Sequence, residues 1–86
     1  MSKLKKRIRI TKAKLGDRFG VADRDGPNSF TIRIHPDHRT QKSLLNTLVH
    51  EALHCGDWDL PEKKVRHLTA CVVSVLWRQG FRRAKG

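Results

Sequence analysis

Apolar residues recur along this chain first with period two and then with a helical period, which predicts strands followed by helices. Arg7-Ile8-Arg9-Ile10-Thr11 alternates as a half-buried strand with a charged outer face does. Phe19-Gly20-Val21-Ala22-Asp23 reads as a second short strand, and Arg24-Asp25-Gly26-Pro27-Asn28-Ser29 is a cluster of turn formers. In Phe30-Thr31-Ile32-Arg33-Ile34 the apolar residues return to one face, so these last two strands predict a hairpin. Pro36 ends the third strand, and the first helix is expected to begin between Asp37 and Ser43.

Wound at about 100° per residue, the stretch 44–55 gathers Leu44, Leu45, Leu48, Val49, Ala52 and Leu53 on one half of a helix. His50 and His54 fall on the other half, with Ser43 and Thr47. Gly56 suits the end of this helix, and Asp57-Trp58-Asp59-Leu60 forms a connection. Asp59-Leu60-Pro61-Glu62 then has the form of a helix start, with an acid to cap it, a proline in the first turn and a glutamate three residues on. The second helix runs to about Gln79 and is ended by Gly80, along a stripe of Val65, Leu68, Val72 and Leu76 that Val73 and Val75 widen. The expected fold is α+β: a small antiparallel sheet of about three strands packed on two antiparallel helices.

The first helix carries the chemistry. His50-Glu51-Ala52-Leu53-His54 places two imidazoles one turn apart, where both reach a single ion, and sets Glu51 beside that ion without ligating it. Zinc suits such ligands and lowers the pKa of its water to about 7, from which Glu51 can take a proton. The competing reading is a pair of solvated histidines on a surface helix. A five-residue pattern can arise by chance, and the clearly helical context, with both histidines on one face, favours the metal reading over it.

A catalytic zinc takes three protein ligands as a rule. The metzincin pattern requires Gly at 57 and His at 60; Asp57 and Leu60 stand there, which excludes that class. Asp57, Asp59, Glu62 and His67 remain as candidates. In an antiparallel helical hairpin turning near 57–58, the middle of the motif lies opposite about residue 63. Glu62 flanks the second helix's apolar stripe by about 60°, whereas His67 points about 160° away from it. Glu62 therefore leads, followed by Asp59, although Glu62 could equally close a capping box with Asp59. His35 and His38, around Pro36, lack a surrounding cluster of ligands and read as solvent-exposed.

At 86 residues the chain fits one domain, 1–86, near the size at which a single core is marginal and a bound metal adds useful folding free energy. Two cysteines make no disulfide framework; Cys71 sits in an apolar helical run and Cys55 points off the ligand face, so both read as structural. The basic N-terminus lacks a signal peptide's apolar stretch, and the run from Ala70 to Trp77 is too short to span a bilayer, so no membrane association and a cytoplasmic location are expected. No internal repeat or low-complexity linker is evident.

Net charge is +11, from 19 Lys and Arg against 8 acids, which favours attraction to nucleic acid or an acidic partner. The excess gathers in 1–18, through Lys3, Lys5, Lys6, Arg7, Arg9, Lys12, Lys14 and Arg18, and in the tail 82–86. A strand edge kept soluble by its lysines and a phosphate-contacting patch explain that pattern equally well.

Thr31-Ile32-Arg33-Ile34-His35-Pro36, Leu48-Val49-His50-Glu51-Ala52-Leu53-His54, Trp58-Asp59-Leu60 and Leu76-Trp77-Arg78-Gln79-Gly80-Phe81-Arg82 together resemble the short metallopeptidases encoded by bacteriophages. These are minimal zincin-like proteins, more distantly similar to the ImmA/IrrE and SprT-like peptidases. The resemblance covers about residues 19–83, and only its His-Glu-x-x-His part is chemically specific. It implies an antiparallel sheet on the motif helix, a zinc cofactor and proteolysis, with His50 and His54 as ligands and Glu51 as the base. The chain departs from most zincins in size: further subsites and a transition-state stabiliser are not evident. There is no Tyr, leaving Arg66, His67, His35 and His38 to contact an oxyanion.

The expected function is zinc-dependent hydrolysis of a peptide or protein substrate, held as an added strand if Thr31–Ile34 forms the sheet edge beside the site. The rival is a non-catalytic, zinc-stabilised module that binds nucleic acid or a host protein. A third reading joins them, as a peptidase brought by its basic arms to substrates on DNA.

Overall fold

The computed structural model describes residues 5–83. Strands β1 (Arg7–Lys12), β2 (Gly20–Gly26) and β3 (Ser29–Ile34) are followed by helices α1 (Gln41–Gly56) and α2 (Glu62–Arg78), the α+β arrangement expected. β2 and β3 form the antiparallel hairpin, with Asp25 bulged between the pairs Arg24–Phe30 and Gly26–Ser29. β1 departs from expectation. It pairs with β3 in parallel, so the sheet is mixed and ordered β1-β3-β2 rather than wholly antiparallel. Strand alternation assigns each side chain to a face but does not choose a strand's neighbour. Here the chain after β1 turns at Leu15–Arg18, where Gly16 takes a φ of 63° and the Arg18 N–H donates to the Leu15 carbonyl at 3.2 Å. It then enters β2 on the far side of β3.

β3 supplies the centre of the core. Phe30, Ile32 and Ile34 are buried beneath α1 together with Cys55, and Ala22, Leu44 and Leu48 close around them. The line of α1 that goes deepest is Thr47, Glu51 and Cys55, four residues apart, not the broad apolar half read from the sequence; Ala52 is exposed. α2 packs against α1 through Val65, Thr69 and Val73. Of its expected stripe Val65 and the widening Val73 are buried, while Leu68, Val72 and Val75 are exposed, as is Cys71, which is therefore not a core residue. A helix packed against one neighbour buries a narrower line than its apolar composition could cover.

The helix ends are held unequally. Thr40 caps α1, its side chain accepting from the Ser43 N–H at 3.0 Å. Gly56 is the last residue of α1, with Asp57 in the cap position. The final carbonyls of Cys55 and Gly56 accept hydrogen bonds of 2.9 and 2.6 Å from Lys6 Nζ, a cation placed at the negative end of the helix dipole. At the start of α2 the expected Asp59–Glu62 capping box does not form, and Pro61 occupies the cap with no side-chain hydrogen bond. Gly80, with φ of 84°, ends that helix as predicted, and the Phe81 N–H donates to the Leu76 carbonyl at 3.1 Å.

Lys6→Met keeps the apolar stem and removes the charge that caps α1. It is expected to lower unfolding free energy by about 0.5–1 kcal/mol at low ionic strength, with the loss shrinking in about 1 M salt. Urea titration at the two salt concentrations measures this; equal stability of variant and wild type would show that the contact contributes nothing.

Candidate metal centre

The turn from α1 to α2 brings three donors to one point. The Nε2 atoms of His50 and His54 lie 3.3 Å apart, and the Glu62 carboxylate spans them, with Oε2 at 3.1 Å from His50 and Oε1 at 3.0 Å from His54. Glu62 reaches them because the connection is short: the Leu60 N–H donates to the Asp57 carbonyl at 3.0 Å, and α2 begins directly beside the last turns of α1. The Arg66 guanidinium, one turn along α2, donates to Glu62 Oε2 at 3.2 Å and steadies the carboxylate. Burial pushes the Glu62 carboxyl up, but the Arg66 hydrogen bond and the charges of His50 and His54 outweigh it and hold the pKa below the usual value. The group is therefore an anion at neutral pH.

This triangle fits zinc. With bonds of about 2.0–2.1 Å, a tetrahedral zinc spaces its ligand atoms about 3.3–3.4 Å apart. The two imidazole nitrogens, 3.3 Å apart, match one edge of such a tetrahedron; Glu62 meets them through different oxygens, and one ligand atom from each of the three residues lies within 4.8 Å of the others, with two imidazoles and a carboxylate as donors that suit zinc. Among the described residues, His50, His54 and Glu62 are the one cluster of three potential ligands. Asp57, Asp59 and His67, the other candidates for the third place, stand outside it. Cys55 is also excluded, being fully buried, with its thiol pKa raised by that burial and further by Glu51.

Glu51 lies on the buried line of α1, between Thr47 and the core residue Cys55. Only 8% exposed, it lies against the start of β2 at Gly20. A Cβ at Gly20 would stand 2.5 Å from Thr47 Cγ2, 3.2 Å from Glu51 Cγ and 3.4 Å from Glu51 Oε2, so the close approach of strand and helix requires glycine. Burial raises the Glu51 pKa, with His50, His54 and Arg18 pulling it down and Glu62 adding to the rise. A carboxyl so placed is a stronger base than one in water.

Both groups open onto a cleft of about 850 Å³. Phe19 and the start of β2, Gly20 to Ala22, form one wall, and Trp58, Glu62 and Arg66 stand on the other. The strand edge beside the site is thus β2; the expected candidate, Thr31–Ile34, lies in β3 at the centre of the sheet. Of the four residues proposed to meet an oxyanion, Arg66 lines the cleft, whereas His35, His38 and His67 do not. His38 is half-buried rather than solvent-exposed: its Nε2 lies 3.0 Å from Thr47 Oγ1, its Nδ1 lies 2.8 Å from the His35 carbonyl, and its ring packs on Phe19. His35 is also half-buried. Two site residues went unread in the sequence. Arg18 reads there only as part of a basic segment and Gly20 only as part of a strand, although a glycine inside a strand pattern signals close backbone approach.

Two substitutions separate ligand from neighbour. Glu62→Gln is expected to weaken zinc binding by about 100-fold or more in a chelator competition, because an amide oxygen is a poor zinc donor, while Asp59→Asn leaves affinity unchanged. The reverse result would transfer the third ligand to Asp59. Gly20→Ala is expected to cost about 1–3 kcal/mol in denaturant unfolding, since Thr47 and Glu51 must move to admit the methyl group; an unaffected midpoint would mean that strand and helix are less closely seated.

Comparison with protein-family models, with curated proteins and with solved structures returned no significant match, and the centre is therefore read from its own residues and geometry.

Proposed function

We propose that this chain is a zinc-dependent peptidase whose ion is held by His50, His54 and Glu62. One observation carries the reading: the cluster of three donors His50, His54 and Glu62 and a buried carboxyl, Glu51, share one cleft beside an open strand edge. Zinc in this site would supply a Lewis acid for the scissile carbonyl and lower the pKa of water. Glu51 then serves as the base that takes a proton from the attacking water and returns it to the leaving amine. Main-chain groups of β2 that do not pair with β3 offer hydrogen bonds to an extended peptide, and Gly20 leaves room for it to lie near Glu51. Arg18 and Arg66 are the cations of the cleft; Arg66 is engaged by Glu62, so Arg18 is the one available to negative charge that develops on the substrate. The resemblance of the motif and its flanks to the phage metallopeptidases agrees with this assignment.

A second reading keeps the zinc and removes the chemistry, making the chain a module that binds nucleic acid or a host protein. The net charge of +11 and the lack of any Tyr favour it. Lys3 and Lys85, two of the basic residues on which it draws, lie outside the described residues.

Glu51→Gln distinguishes the two. The variant is expected to retain one zinc per chain and the wild-type circular dichroism spectrum while losing cleavage of a mixed peptide library. If the wild type proves as inert as the variant while both hold zinc, the binding module becomes the better description.

A further inference from the structure

The sheet has a second open edge, remote in sequence and topology from the metal centre. β1 is its outer strand, and among the described residues nothing pairs with its far side. The Arg7 N–H donates to the Asn28 carbonyl at 2.7 Å and the Ala13 N–H to the Ile34 carbonyl at 3.0 Å. In an evenly spaced parallel ladder, the groups of Arg7, Arg9 and Thr11 then turn toward β3, and those of Ile8, Ile10 and Lys12 turn outward.

The two faces of this edge differ. Ile8 and Ile10 register with Phe30 and Ile32, which places them on the face that α1 covers over β3. α1 stops short of β1, however, and the isoleucines are 44% and 59% exposed. Ile10 instead floors an apolar groove of about 500 Å³ whose walls include Ile34, Leu44, Leu48 and Phe81, with Lys12, Arg82 and Arg83 at its border. On the opposite face stand Arg7 and Arg9, neither in an ion pair among the described residues. The nearby acids of the sheet are already engaged, Asp23 by Arg33 and Asp25 by the Thr31 hydroxyl.

We propose that the β1 edge docks an extended segment of another protein in which acidic and apolar residues alternate. Directly opposed side chains on each face decide strand pairing. A partner must place apolar residues beside Ile8 and Ile10, the latter at the groove, and carboxylates beside Arg7 and Arg9. A second copy of this chain fails that requirement, because it brings another +11 charge and another arginine strand to the same edge. Nucleic acid matches it poorly too: Ile8 and Ile10, between and beside the arginines, offer nothing to phosphate, and β1 carries no aromatic ring on which a base could stack.

Two synthetic peptides of one composition provide the test, one alternating Glu with Val and Ile, the other with its Glu residues in a single block. Fluorescence anisotropy measures binding, and NMR hydrogen exchange reads the amides of Ile8, Ile10 and Lys12. The alternating peptide is expected to bind, to protect those three amides, and to bind about tenfold or more weakly to Ile10→Glu and to Arg9→Glu. Val75→Glu, at a residue 61% exposed on α2, controls for an added acid and is expected to bind as wild type does. Equal affinity for the block peptide, or no binding, would overturn the proposal. So would a thymidine 20-mer that displaces the alternating peptide and binds Ile10→Glu as well as wild type, assigning the edge to nucleic acid.

Discussion

A carboxylate between two imidazoles joins the halves of this molecule. α2 touches the remainder through α1, and its buried line is short: Val65, Thr69 and Val73, with the Thr69 hydroxyl left without a hydrogen-bond partner. Glu62 adds the polar contact at the point where α2 begins, between His50 and His54. An ion bound there would fasten the same junction, so its binding free energy would add directly to the stability of the helical pair. This connects the proposed chemistry with the fold, because the residues that would hold zinc are those that set α2 against α1.

The second constraint lies beneath α1. Its deepest line includes Thr47 and Glu51 where an ordinary amphipathic helix carries aliphatic side chains. Gly20 and Ala22 on β2 make this possible, since strand residues with little or no side chain let the helix settle close to the sheet. Burying an ionisable carboxyl costs stability. Under the proposed function, that cost is the one a base would carry if it is to stay near the donors without joining them.

Much of this site was legible because helical spacing is a strong constraint. The His50–His54 interval and the expected helical hairpin together put Glu62 first and Asp59 second among the candidate partners, and the structure brings Glu62 to the two histidines. The rival use of Glu62 as a cap failed because Pro61, not Asp59, occupies the cap position. The sheet was legible in its strands but not in its order: alternation placed Ile8 and Ile10 on the correct face without revealing that β1 runs parallel to β3 at an edge. Cys71 and the stripe of Leu68 and Val72 look like core in a helical wheel, yet a wheel does not know how many neighbours a helix has. Gly20, Arg18 and the Thr47–His38 contact depend on segments distant in sequence, and only the fold brings them to Glu51.

The central claim concerns which atoms hold the ion, and zinc-edge X-ray absorption of the loaded wild-type protein addresses it directly. The account predicts a shell of nitrogen and oxygen at about 2.0–2.1 Å, with the multiple scattering of two imidazoles and no sulfur. A sulfur shell near about 2.3 Å would place a cysteine in the centre, and a spectrum of fully hydrated zinc would mean that His50, His54 and Glu62 form no metal site at all.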